Sequence, residues 1–281
     1  MRLLAYLPLP LLATLGTCVG ELSYCLFSSR RKIAQKNIQS CFPTWPEKKT
    51  ADVTRKCFRF IGQSIFFSGF IWWTDKNKLN RKVNIVNREH YDKALSQGKN
   101  IILLAPHFCA LELAGVVLSQ ERPMISMYQH TKNRLVDIFV KRGRSRFDGI
   151  LVERKEPLRN LIRLIRKGYP FYYLPDQDAR DKGVFAPFFG IQASTIPVLG
   201  KFTAMSKSVV IPCSTKILDS GKGFEVYLGS PIENFPTGDD VKDTTLMNRT
   251  IEKMVEPMPE QYFWVHKRFK TRPPGEAAFY D

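Results

Sequence analysis

The sequence predicts an α/β fold, a mainly parallel or mixed central sheet flanked by helices, preceded by an N-terminal membrane-anchor helix. Three observations carry this. From residue 100 onward, short apolar runs alternate with amphipathic stretches, and strands separated by helices pair mainly in parallel with both faces covered. The stretch Leu3 to Phe27 is nearly all apolar or small, with Glu21 its only charge. The chain has 281 residues and is 44% hydrophobic, which is enough to bury a sizeable core.

The N-terminal run is long enough to cross a bilayer, since spanning takes roughly 20 residues. A cleaved signal peptide is the alternative, and Leu15-Gly16-Thr17-Cys18 brushes against a lipoprotein cleavage pattern in which Thr17 is larger than the position wants. Arg30-Arg31-Lys32 follows at once, and basic flanks stay on the cytoplasmic side. The reading is an uncleaved anchor over residues 1–27 and one catalytic domain over 28–281, with the body in the cytoplasm. Pro8, Pro10 and Glu21 leave open a helix lying in the interface.

Between the anchor and residue 90 the pattern is helical. Phe58 to Trp73 is dense in phenylalanine, isoleucine and tryptophan, a core helix on one reading and a lipid or acyl surface on the other. Beyond it, strands are expected at Ile101 to Ala105, Met124 to Tyr128, Ile150 to Val152, Phe171 to Leu174, Val209 to Pro212 and Phe224 to Leu228. Helices are expected at Arg134 to Arg144, around Val198 to Met205, and along Met247, Ile251, Met254 and Val255. Leu158, Leu161, Ile162 and Ile165 fall at i, i+3, i+4 and i+7, a helix started near Pro157 and stopped by Gly168.

The 43 basic residues against 26 acidic ones leave a formal charge of +17, so a polyanion belongs among the partners: nucleic acid, anionic membrane, phosphorylated substrate or acidic carrier protein. The six cysteines form no C-x-x-C pair and indicate neither a zinc site nor a disulfide framework. Free thiols fit a reducing compartment.

In "NIILLAPHFCALELAG", His107 follows directly on a strand, where open α/β sheets gather their ligands. Glu112 lies five positions on. On an unbroken helix the two would sit about 140° apart, so they pair only if the chain turns after Pro106 and helix begins between them. An imidazole oriented by a carboxylate takes a proton from a hydroxyl attacking an ester or thioester. A core histidine satisfied by neighbours has the same local pattern.

The companion motifs change the weight of that pair. "APHFCALELAG", "GRSRFDGILVERK", "YYLPDQD", "GVFAPFFG", "PEQYFWVHKRFKTRPPG" and the early "KNIQSCFP" together resemble the lipid A late acyltransferases, the bacterial lauroyl and myristoyl transferase family, over nearly the whole chain. The resemblance implies an inner-membrane enzyme, its catalytic domain on the cytoplasmic side, moving an acyl chain from acyl carrier protein to a hydroxyacyl chain of a Kdo-bearing lipid A precursor. It implies no metal and no organic cofactor. His107 would be the general base and Glu112 its orienter. Arg144 and Arg154, in the arginine-containing segment, would contact substrate phosphate or carboxylate, and Asp176 would organise the substrate site.

Rival readings use the same residues. Cys109 beside His107 invites a covalent acyl intermediate. Related transferases act on other glycolipids or take coenzyme A donors. The basic, aromatic-interleaved run Trp264 to Arg272 would suit a membrane-anchored nucleic-acid binder, but no recognisable nucleic-acid motif accompanies it, so no nucleic-acid partner is expected.

Overall fold

A computed structural model describes residues 1–131 and 133–280. After a 3₁₀ turn at Arg2–Tyr6 come three helices, α1 (Leu9–Leu26), α2 (Ser28–Cys41) and α3 (Glu47–Trp73), and a short α4 (Lys76–Asn80). Pro46 precedes the first turn of α3 with φ −60°, and Glu47 opposes the helix dipole there. The α/β part then runs β1 (Val83–Val86), α5 (Glu89–Ser96), β2 (Asn100–Leu104), α6 (Glu112–Leu118), β3 (Ile125–Tyr128), α7 (Arg134–Arg144), β4 (Ile150–Glu153), α8 (Leu158–Arg166) and β5 (Phe171–Tyr173). A hairpin of β6 (Val184–Phe188) and β7 (Ile191–Thr195) precedes α9 (Leu199–Ser206), β8 (Ser208–Ile217), β9 (Phe224–Leu228) and α10 (Asp240–Val255).

The main sheet has seven strands in the order β1-β9-β8-β2-β5-β3-β4. Five are mutually parallel, and β9 and β1 run the other way, joined through the antiparallel β8–β9 pair. The expected α/β class and mainly parallel sheet are therefore observed. One region differs: the stretch before residue 90, expected to be helical, also contains β1. Its four residues Val83 to Val86 are too few to show a period, and its partner β9 lies far along the chain.

Strand β8 is longer than expected because its two halves serve different neighbours. Residues up to Pro212 pair with β2, and Cys213 onward pairs with β9. Pro212, which lacks an N–H for a ladder, sits at the changeover and accepts from Gly229 N–H at 2.8 Å.

Alternation along the strands divides the core. Ile102, Leu104, Phe171, Tyr173 and Val210 face α8, α9, α10 and the C-terminal segment. Ile101, Leu103, Tyr172 and Ile211 face α6 and the C-terminal half of α3. The aromatic stretch Phe58 to Trp73 is thus mostly a core helix: Phe58, Phe67, Phe70, Ile71 and Trp72 are buried, while Ile65 is exposed.

Along α1 one face is buried through Leu9, Leu12, Ala13, Gly16 and Gly20. Gly16, Gly20 and Gly62 let the α1 and α3 backbones touch: a Cβ on Gly62 would stand 2.1 Å from Gly16 O, and one on Gly20 would stand 2.4 Å from Phe58 O. Small residues at such crossings allow close backbone approach. Gly62→Ala is expected to force the helices apart at a cost of about 1–3 kcal/mol. A chain of this size should lose ~2–4 °C of melting temperature per kcal/mol in a detergent-solubilised scan, and an unchanged melting curve would contradict the close seam.

Candidate active site

The site begins with strand register. Leu104 of β2 pairs with Tyr173 of β5, and Ala105 N–H continues the ladder to Tyr173 O at 2.9 Å. His107 and Asp176 each lie three residues past this matched pair, so two adjacent parallel strands deliver them to the same level at their carboxyl ends. The Asp176 side chain is 1% exposed and uses both oxygens on His107. Oδ2 accepts the His107 backbone N–H at 2.8 Å, and Oδ1 lies 2.5 Å from His107 Nδ1.

Burial pushes the Asp176 carboxyl up, but the facing imidazole, the His107 N–H and the Tyr262 hydroxyl together hold it well below the usual carboxylate range. An ionised Asp176 keeps the proton on Nδ1, which donates to it, and turns the Nε2 lone pair outward. The Gln177 amide nitrogen lies 3.2 Å from Nε2 and donates to it. The small cavity in front of the ring is bounded by Asn37, Gln177, Phe263, Trp264 and His266.

Glu112, the expected partner of His107, is engaged elsewhere. The chain does turn between Pro106 and Leu111, and α6 begins at Glu112 as the pairing required. The Glu112 carboxylate, however, is held by Arg144: Arg144 Nε donates at 3.0 and 3.2 Å and Nη2 at 2.6 Å. With both oxygens engaged by a guanidinium from the end of α7, Glu112 makes no hydrogen bond to His107. Asp176 makes the imidazole contact that was expected of Glu112.

Arg144, expected at substrate, is largely buried in this ion pair and lines a cleft with Glu112, Gly115, Ser119, Ser126 and Tyr172. Burial works against its charge, and Glu112 outweighs that effect. Arg154 follows the edge strand β4, exposed, with Nη1 only 3.4 Å from Gln129 Oε1. Asp178 does not join Asp176: it accepts from the Thr271 N–H and hydroxyl, closing the C-terminal segment over the loop.

The C-terminal basic run is largely structural. Trp264, Arg268 and Phe269 are buried, and Arg268 donates to Ser194 O and Thr195 Oγ1. Asn37, within the early KNIQSCFP stretch, donates to the carbonyls of Trp264 and His266. His266 Nε2 accepts the Asp178 N–H at 3.2 Å. Burial pushes the Cys109 thiol well up, the reverse of an activated nucleophile. Sequence reasoning had no signal for the contacts of Gln177 and Tyr262 with the pair, since both come from strand register and chain return.

Fold and site together define an α/β protein with a histidine–carboxylate pair at the strand-end cleft. Residues 1–271 match the family model described as bacterial lipid A biosynthesis acyltransferase. The chain is 36% identical to a lipid A biosynthesis acyltransferase of Haemophilus influenzae, over 99% of this chain and 88% of that protein. It is 31% identical to the lipid A biosynthesis lauroyltransferase of Escherichia coli K12, over 99% and 91%, and 30% identical to that organism's lipid A biosynthesis palmitoleoyltransferase, over 98% and 90%. The chain belongs to the bacterial lipid A biosynthesis acyltransferase family and is an acyltransferase.

Burial, Arg268 and His107 lower the His266 pKa below its ordinary 6.5. Between that lowered value and the unfolded one the unfolded chain binds more protons, so stability rises with pH there. The contribution of His266 is therefore complete above about pH 6.5 and is lost as pH falls through its folded pKa. Chemical denaturation from about pH 7.5 down to about 5 should show a shallower loss in His266→Gln than in the parent; parallel curves would contradict a half-buried neutral imidazole.

Proposed function

We propose that this protein transfers a fatty acyl chain from acyl carrier protein to a hydroxyacyl chain of a Kdo-bearing lipid A precursor, at the cytoplasmic face of the inner membrane. The observation that carries the reading is the His107–Asp176 pair, with Nδ1 fixed on a buried carboxylate and Nε2 turned to a cavity. Membership of the lipid A acyltransferase family supports the acceptor class. The apolar α1 supports a membrane setting.

In this reading the acceptor hydroxyl displaces the Gln177 amide at His107 Nε2, which takes its proton as the oxygen attacks the thioester carbonyl. A new C–O bond forms and the C–S bond breaks. The proton passes from Nε2 to the departing carrier thiolate, so no covalent acyl-enzyme and no cofactor is needed. Asp176 acts as a positioning residue, stabilising the imidazolium without being protonated itself. Glu112 and Arg144 act as a charged pair at the neighbouring cleft, where Arg144 meets acceptor phosphate or carboxylate. Arg154, exposed and lightly held, adds attraction to the anionic headgroup.

His107→Ala should lower kcat by about 10²–10⁴-fold. Asp176→Asn should approach that loss at nearly unchanged KM, with an altered pH profile. Glu112→Gln should act chiefly on KM for the acceptor, and Cys109→Ser should stay near the parent. A Glu112→Gln enzyme as inactive as His107→Ala beside an active Asp176→Asn would return the orienting role to Glu112. The reaction itself is tested by mass spectrometry of lipid A from cells with and without the gene, paired with assays of acyl carrier protein and coenzyme A donors. Loss of one secondary acyl chain is expected, and unchanged lipid A overturns the proposal.

A further inference from the structure

We infer that α1 does not cross the bilayer but lies along one leaflet, with its outward stripe immersed and both of its ends on the side of the catalytic body. The inner face of α1 is closed against α3. A Cβ on Gly16 would stand 2.4 Å from Gln63 Cα, and Gln63 donates to Thr17 Oγ1 at 2.8 Å. No lipid fits between two such backbones. Glu21, the one charge of α1, is bound by Arg55 at 2.8 Å and by Arg59, both on α3. Toward its other end, Leu9 and Leu12 join the core that holds Phe67 and Leu79, and Lys78 Nζ donates to Ala5 O at 2.9 Å.

The partner helix cannot follow α1 across a membrane. Phe58 packs in the core with Ile102 and Trp264, and Cys57 Sγ donates to Tyr262 O at 3.3 Å. The same helix carries Arg55, Lys56 and Arg59, which would have to enter hydrocarbon with it. A helix fastened along such a partner has no membrane depth of its own.

The occupant of its free face is an anionic lipid surface. Leu11, Leu15, Cys18, Val19, Leu22 and Leu26 stand outward at helical spacing over about 22 Å of axis. The one polar side chain among them, Thr14, satisfies its hydroxyl on Pro10 O. No charge interrupts the stripe, and exposed Arg2 lies before it and exposed Arg30 and Lys32 after it. An uncharged stripe bracketed by cations matches a helix sunk ~5–10 Å at the headgroup boundary of an anionic bilayer.

The inference concerns membrane geometry alone and stands whatever acyl acceptor is used, so lipid A mass spectrometry and the following test fail independently. The full chain, reconstituted in phosphatidylethanolamine–phosphatidylglycerol vesicles, supplies its own probes, because Cys18 and Cys25 are exposed. A fluorophore on Cys18, and on Leu11→Cys or Leu22→Cys in a chain with Cys18→Ser and Cys25→Ser, should be quenched to similar extents. Lipids brominated near the headgroup should quench all three more strongly than lipids brominated near the chain ends. In the same serine background, Arg2→Cys, Ser29→Cys and the exposed Lys182→Cys should react from one side of the vesicle with an impermeant maleimide. Arg2→Cys and Ser29→Cys reacting from opposite sides, with depth graded along α1, would make it a span and overturn the inference. Absence of quenching with Cys18 cross-linked between copies would overturn it in favour of a protein interface.

Discussion

The site depends on the register between β2 and β5. A carboxylate as buried as Asp176 is costly unless charge and hydrogen bonds compensate it. Here most of the compensation comes from one residue twice over, through the backbone and the ring of His107, with the Tyr262 hydroxyl adding to it. That double contact exists because both chains leave paired strands at Leu104 and Tyr173 and run the same distance beyond them. A slip of one residue in either strand would turn its side chains to the opposite face and leave Asp176 buried alone. β5 is only three residues long, yet β2 and β3 hold it on both sides.

What keeps the two loops from relaxing is the end of the chain. Cys109 N–H donates to Gln261 O and Phe263 N–H to His107 O, so the C-terminal segment runs beside the His107 loop through one antiparallel bridge between Phe108 and Tyr262. Gln261 is pinned in turn on both backbone groups of Ile217 at the end of β8. Asn37 closes the circuit from α2. A run that looks like a basic surface in isolation is therefore mainly a clamp, with Trp264, Arg268 and Phe269 turned inward and Lys270 outward.

The parts of this arrangement that depend on local pattern were legible in the sequence. Helix α7 and strand β9 occupy the expected residues, α8 starts after Pro157, and His107 falls at a strand end where chemistry was expected. What local pattern does not carry is partnership across the fold. The spacing from His107 to Glu112 offered a carboxylate within reach along the chain, whereas register supplied Asp176 from 69 residues away and α7 supplied Arg144 to Glu112. Asp176 was singled out as site-organising, but its hold on the imidazole needed the neighbouring strand. The same holds for α1: Gly16 and Gly20 have no visible partner within the apolar run, and only the fold brings Gly62 of α3 against them.

Helix α3 joins the N-terminal segment to the candidate site. Its C-terminal half fills the core shared with α1, α6 and β9, while its N-terminal half packs in the core of Tyr262, Trp264 and Phe269. Cys57 on this helix holds Tyr262 O, and the Tyr262 hydroxyl helps keep Asp176 ionised. The seam with α1 and the wall of the candidate site are thus two surfaces of one rod, and close-packed interiors transmit strain. Gly62 is one turn or so along the same helix from Cys57, so the α1 seam and the wall of the candidate site share one packed element, and the apolar outer face of α1 is the reverse side of it.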